Sequence, residues 1–222
     1  MMMSVPLFDP IPEPPPDLQR LSEQSWSPPL WDRPSEGTLP AVVSVSRLFE
    51  RTENVALALD HLRVYPSGFQ LVITILASPR LPTELRMGGF DTMTLLAARE
   101  TPNDDDTPSA PPLPPSPRYV HLMGPRIGVE FSNGQRAGTR PMPHFDVPRD
   151  KDGMPTEPVM MGGGGGGGGG QFRWEHWVFP LPSPGPLTVF AEWSTARIEE
   201  TSMVISGTDV RDAAQRAIVL WS

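Results

Sequence analysis

The chain has 222 residues, a length typical of one domain with irregular extensions, and only 38% of its residues are hydrophobic. Its formal net charge of -8 argues against sequence-independent nucleic-acid binding, which needs clustered positive charge. The absence of cysteine excludes disulfides and thiolate metal sites.

We do not expect the N-terminal segment to be a targeting signal. Residues 1–16 have neither the basic region nor the apolar stretch of a secretory signal. The longest apolar run, residues 71–77, is far shorter than the ~20 residues that a membrane span needs. The sequence therefore predicts a soluble cytoplasmic protein without a cofactor, which binds neither membrane nor nucleic acid.

Proline divides the chain into two parts, because it cannot donate to a β ladder and it breaks helices. Of the 30 prolines, ten lie in residues 1–40 and seven in residues 101–117. We predict a Pro-rich, largely irregular and disordered N-terminal arm over residues 1–40. We predict a single β-sandwich domain over residues 41–222, with irregular insertions at 101–117 and 141–170. Trp26 and Trp31 are interpreted as incidental aromatics of the arm, the alternative being that they dock on the folded part.

The clearest strand signal lies in residues 41–78. One strand begins at Val42, and a second begins at Val55 and shifts its phase at Asp60 and His61, which predicts a β-bulge. Residues 65–69 contain Pro and Gly at positions typical of a turn. Residues 69–76 are apolar on both faces, which favours a strand in the middle of a sheet.

Further strands follow along the chain. Residues 90–98 favour a strand. Ile127, Val129 and Phe131 alternate with small or polar residues and lead into Asn133 and Gly134, which predicts a hairpin with a two-residue type I′ turn. Three more strands are predicted at 172–179, 187–193 and 201–206. A C-terminal helix capped by Thr208 or Asp209 is predicted from a helical apolar stripe: Val210, Ala213, Ala214, Ala217 and Ile218.

Strands at this spacing define the fold class. We predict an all-β protein, an antiparallel β-sandwich of the immunoglobulin-like Greek-key type, with one short C-terminal α-helix and long Pro/Gly-rich loops. The nine glycines at 162–170 are interpreted as a low-complexity flexible linker. They match a phosphate-binding glycine motif only trivially, since a tryptophan-rich strand follows where that motif needs a helix.

Few residues offer catalytic chemistry, and we assign neither a catalytic residue nor a metal site. His144 and Asp146 stand two apart on a predicted loop, as a metal site or an acid/base pair requires. The four histidines show no recurring ligand spacing. His144 and Asp146 are therefore the weak candidates of an alternative function, a hydrolase or metal-dependent enzyme that would add further carboxylates.

The tryptophans of the C-terminal half are the candidate binding residues. Trp174 and Trp177 lie three apart, hence on opposite faces of one strand. We expect Trp177 to be the more exposed, since Arg173 and Glu175 share its face, and Trp193 to lie in the core. The predicted function is a non-enzymatic protein-interaction or assembly module that binds a protein partner.

The C-terminal segment also carries a resemblance. It combines the glycine run, Trp174 and Trp177, the segment Pro-Leu-Pro-Ser-Pro-Gly-Pro-Leu at 180–187, Glu192-Trp193 and a closing Leu220-Trp221. This arrangement resembles uncharacterised actinobacterial proteins for which no activity is known. The resemblance implies a bacterial, cytoplasmic setting and no particular chemistry.

Overall fold

The computed structural model describes residues 29–81, 124–139 and 147–221. Within them one helix, α1, spans Gly207–Ala214, and a single 3-10 turn spans Ser194–Ala196. The strands of these ranges are β1 (Thr38–Leu39), β2 (Ala41–Arg51), β3 (Val55–Val64), β4 (Phe69–Ala77), β5 (Arg126–Glu130), β6 (Arg136–Gly138), β7 (Val159–Gly168), β8 (Gln171–Phe179), β9 (Pro186–Trp193), β10 (Ile198–Ser206) and β11 (Ile218–Val219). The predicted all-β class is confirmed.

Two sheets face each other across the core. One has the strand order β2-β3-β4-β8-β7, the other β10-β9-β5-β6, and neighbouring strands are antiparallel throughout. Their inner faces contribute alternate residues to one cluster, among them Leu59 and Ile73 from the larger sheet and Val189 from the smaller. The predicted antiparallel sandwich is therefore confirmed, and Trp193, which is 1% exposed, lies in its core as expected.

The central strand of the larger sheet is β4. Its inner face carries Leu71 and Ile73, and Val72 on the opposite face is also fully buried, so the apolar pattern on both faces predicted this position correctly. The pairing of β3 with β4 shifts register between Leu59 and His61, which confirms the predicted bulge.

The β5–β6 hairpin forms where it was predicted, but its turn is of another kind. Only Gly134 has a positive φ, and the Phe131 carbonyl accepts from the Gly134 amide at 2.8 Å, which makes a three-residue loop. The two-residue turn with positive φ at both positions instead joins β7 to β8, at Gly169 and Gly170. Asn-Gly is compatible with both loop lengths, so the dipeptide alone did not fix the turn.

The C-terminal helix is shorter than its apolar stripe predicted. It ends at Ala214, and the side chain of Ser206 caps it by accepting from the Asp209 amide at 3.1 Å. Ile218 leaves the helix because it pairs with Leu39 in the small β1–β11 sheet. Tertiary strand pairing thus overrides the helical pattern over the last turn.

A second apolar cluster covers the outer face of the larger sheet. Trp177 lies within it at 2% exposure, packed with Trp31, Tyr65, Val159 and Met161. The expectation that Trp177 is exposed is wrong, because residues distant in the sequence cover this face of β8.

Part of the N-terminal arm contributes to this cover. Trp31 is 5% exposed, its carbonyl accepts from the Trp177 indole N–H at 3.1 Å, and the guanidinium of Arg149 lies 4.5 Å from the centre of its ring. The interpretation of Trp31 as incidental is therefore wrong, and its docking alternative holds. Residues 1–28, with Trp26, the insertion at 101–117 and the predicted strand at 90–98 lie outside the described residues.

The buried position of Trp177 makes a testable prediction about stability. We expect Trp177→Ala to lower the free energy of unfolding by about 3–5 kcal/mol, as much as Trp193→Ala, because both remove a buried aromatic ring. Urea melts of both variants check this. Trp221→Ala is the control, since Trp221 is 73% exposed and its loss should cost under about 0.5 kcal/mol. A Trp177 variant as stable as the Trp221 control would contradict the packing described.

Candidate interaction edge of the five-stranded sheet

The residues singled out from the sequence do not come together in one site. Trp174 is partly buried, with its ring centre 4.7 Å from that of His176, and the buried Trp177 has no face free for stacking. His144 and Asp146 lie outside the described residues, so their role stays a prediction. In the ranges that the structure describes, no three His, Asp or Glu side chains are placed to hold a metal ion.

The glycine run is the unexpected element of the fold. Its first seven residues belong to β7, which pairs with β8 from the Val159–Phe179 pair to the Gly168–Gln171 pair. The linker interpretation, and the irregular insertion at 141–170, are therefore wrong over Val159–Gly168. Glycine carries no side chain that could show a period of two, so the sequence gives no alternation from which to predict this strand.

Two of these glycines are required by close packing. A Cβ at Gly167 would lie 2.0 Å from the Gln171 carbonyl oxygen, and one at Gly165 would lie 2.8 Å from the Arg173 carbonyl oxygen. At Gly162, Gly164, Gly166 and Gly168 a Cβ would meet nothing within 4 Å. Strand β7 thus presses against β8 at alternate positions and leaves open space at the others.

Among the described residues, no strand pairs with the outer edge of β7. The described glycines between 162 and 169 are exposed, and no proline or charged residue occurs between Val159 and Gly168. A sheet edge presents backbone N–H and C=O groups to any extended chain, and proteins usually blunt it with charges, proline, bulges or short strands. Here the one such device is a register irregularity between Gly162 and Gly165.

The other three edges of the two sheets are protected. Strand β2 carries Arg47, Glu50 and Arg51, shifts register twice, and sends the Arg47 guanidinium to the Val204 carbonyl at 2.9 Å. Strand β10 carries Glu199 and Glu200 with a register shift beside them, and β6 is only three residues long. Within the part of the chain that the structure describes, β7 is therefore the edge without such protection.

The outer face beside β7 holds a shallow depression of about 240 Å³. It is lined by Gly166, Gly167, Gly168, Gln171 and Arg173. The Arg173 side chain is 54% exposed, and its Nε lies 3.8 Å from Asp60 Oδ2, a loose ion pair. The neighbouring Glu175 pairs more closely, with Arg63 at 2.7 Å. A basic group thus stands next to an edge that has no side chains of its own.

His176 lies on the inner face of β8, directly opposite Gly162 of β7. It is fully buried, and neither ring nitrogen has a hydrogen-bond partner. Burial lowers the pKa of the imidazole to about 4, because no partner compensates the lost hydration of the charged form.

The chain matches no protein-family model, no curated protein and no solved structure. The resemblance to actinobacterial proteins therefore stays a prediction. No helix of the described part of the chain is long and apolar enough to cross a membrane.

The packing of β7 predicts opposite effects for adjacent glycines. Gly167→Ala should lower the free energy of unfolding by about 1–3 kcal/mol, since its methyl group would overlap a backbone oxygen. Gly166→Ala should raise it by about 0.5–1 kcal/mol, because alanine loses less conformational freedom in an open strand position. Chemical denaturation of the two variants measures this. Equal, negligible effects would mean that the run is a linker.

The buried His176 predicts a pH dependence of stability. Its pKa in the folded state, about 4, is below its ordinary value, about 6.5, so between these pH values only the unfolded chain binds the proton. The free energy of unfolding is therefore unaffected by this group above about pH 6.5. As the pH falls from about 6.5 to about 4, proton uptake by the unfolded chain lowers it by roughly 1.4 kcal/mol per pH unit, about 3 kcal/mol in all. His176→Phe should remove this part of the slope in urea melts at several pH values, and His61→Gln should keep it. Identical slopes for wild type and His176→Phe would refute the assignment.

Proposed function

We propose that this protein is a protein-interaction module that binds an extended segment of a partner by adding it as a strand beside β7. The observation that carries the proposal is a contrast within the described residues: the glycine part of the β7 edge is exposed and unpaired, whereas the other three edges are protected by charge, irregularity or shortness. An added strand gains main-chain hydrogen bonds along β7, as in other complexes formed by β-strand addition.

The composition of β7 sets the character of this binding. Its glycines offer backbone groups but no side chains, so affinity comes from hydrogen bonds and from whatever side chains the partner brings. A single added strand makes a small interface, and the partner loses conformational entropy on ordering. Binding is therefore weak and reversible, as suits a recruitment or assembly role.

The chemistry of the rest of the chain is consistent with this role. The net charge of -8 disfavours nucleic acid as the partner. The resemblance to actinobacterial proteins supports a bacterial, cytoplasmic setting. A hydrolase or metal-dependent enzyme using His144 and Asp146 stays an alternative prediction that no contact of the described residues favours.

Lysine substitutions on the edge test the proposal. Gly164→Lys and Gly166→Lys each place a charge on β7 at a position with open space, so the fold should persist while strand addition is blocked. The probe is a capped, fluorescently labelled eight-residue peptide of alternating valine and threonine, followed by anisotropy. We expect the lysine variants to weaken its binding by about tenfold or more, since several strand hydrogen bonds are lost.

Val42→Lys is the matched control, because it puts the same charge on β2, where Val42 is exposed. It should bind the peptide as the wild type does, and circular dichroism should show all three variants folded. A peptide that does not bind the wild type, or that binds the β7 lysine variants as tightly, would refute strand addition at this edge.

A further inference from the structure

We infer that the strand accepted beside β7 comes from another protein and is two-faced, with apolar side chains on its core-side face and an acidic side chain opposite Arg173. This inference rests on the proposed function and specifies its partner. The glycine part of β7 offers only backbone groups, so a partner can be recognised there only through the side chains of neighbouring residues on β8.

The register of the added strand must come from the partner. Along residues 164–168 every position of β7 is the same residue, so a shift of two residues costs β7 nothing. Two copies of β7 paired with each other would have no side chain on either strand to select a register. Their net charges of -8 would also repel. A different chain has side chains of its own that can set the register, and it need not carry the same net charge.

The core-side face of the edge is apolar. Gly165 pairs with Trp174 and Gly167 with Phe172, and the Phe172 ring lies 2.9 Å from the point where a Gly165 Cβ would stand. Both rings are only partly buried. The Phe172 ring leans across Gly165 and brings an apolar surface to the edge, as aromatic rescue of glycine does in designed sheets. Side chains of the partner on this face meet Phe172 and Trp174, so apolar residues fit.

The opposite face presents charge. Gly166 pairs directly with Arg173, and the depression above the glycines leaves that guanidinium reachable from the edge. Neighbouring strands lie about 4.8 Å apart, so a side chain from the added strand and the Arg173 side chain meet above Gly166. Among the described residues Arg173 makes a loose contact with Asp60, and Glu175 is engaged by Arg63. A carboxylate of the partner is the complementary group.

A charge exchange tests this recognition. The probes are three capped eight-residue peptides: one alternates valine and threonine, and the others replace a central threonine by glutamate or by lysine. We expect wild-type protein to bind the glutamate peptide about fivefold more tightly than the lysine peptide, the scale of an exposed ion pair. Arg173→Glu should reverse this preference. Arg126→Glu, a charge reversal on the outer face of the other sheet, should leave it unchanged.

The outcomes separate this inference from the proposed function. The inference is supported if Arg173→Glu reverses the preference for the glutamate peptide and Arg126→Glu does not. Equal binding of all three peptides, each blocked by Gly166→Lys, would overturn the acidic partner and leave strand addition standing. Failure of every peptide to bind would remove the proposed function as well. A wild-type dimer in light scattering that Gly166→Lys converts to monomer would also overturn the inference, because a second copy would then occupy the edge.

Discussion

Strand β8 is the element on which the rest of this structure depends, because both of its edges are paired and residues 176–178 are buried on both of its faces. Its inner face places Val178 and His176 in the sandwich core, and its outer face places Trp177 under Trp31. One edge pairs with the central strand β4, and the other must pair with β7. The chain meets this last requirement with glycine, the residue that tolerates the shortest backbone approach.

With this pairing β8 is no longer at the edge of the sheet, and β7 becomes the edge strand instead. Pairing satisfies β8, but the glycine part of β7 then forms the edge with no side chains to protect its backbone groups. Elsewhere the same molecule blunts its edges with Arg47, Glu199 and Glu200. A bare edge of this length favours aggregation unless something uses it, which is the physical reason for assigning it a partner.

The sequence predicted the parts of the fold that side-chain patterns specify. Three patterns predicted structure correctly. The two apolar faces of β4 predicted a central strand, the phase shift at His61 predicted a bulge, and the alternation around Val129 predicted a strand. The failures have physical causes as well. Trp177 is buried by Trp31, which lies 146 positions away, and no local pattern records such a contact. The glycine part of β7 has no alternation of side chains, so only the three-dimensional structure shows that it pairs with β8.

The central claim is that the glycine run is a strand with one side paired and the other open. Backbone amide hydrogen exchange of the glycines, resolved residue by residue, tests it most directly. An edge strand predicts that amides directed at β8 exchange slowly and that those directed outward exchange rapidly, alternating with a period of two residues. Uniformly rapid exchange from Gly164 to Gly168 would show that the run does not pair with β8, and uniformly slow exchange would show that its outer edge is already covered.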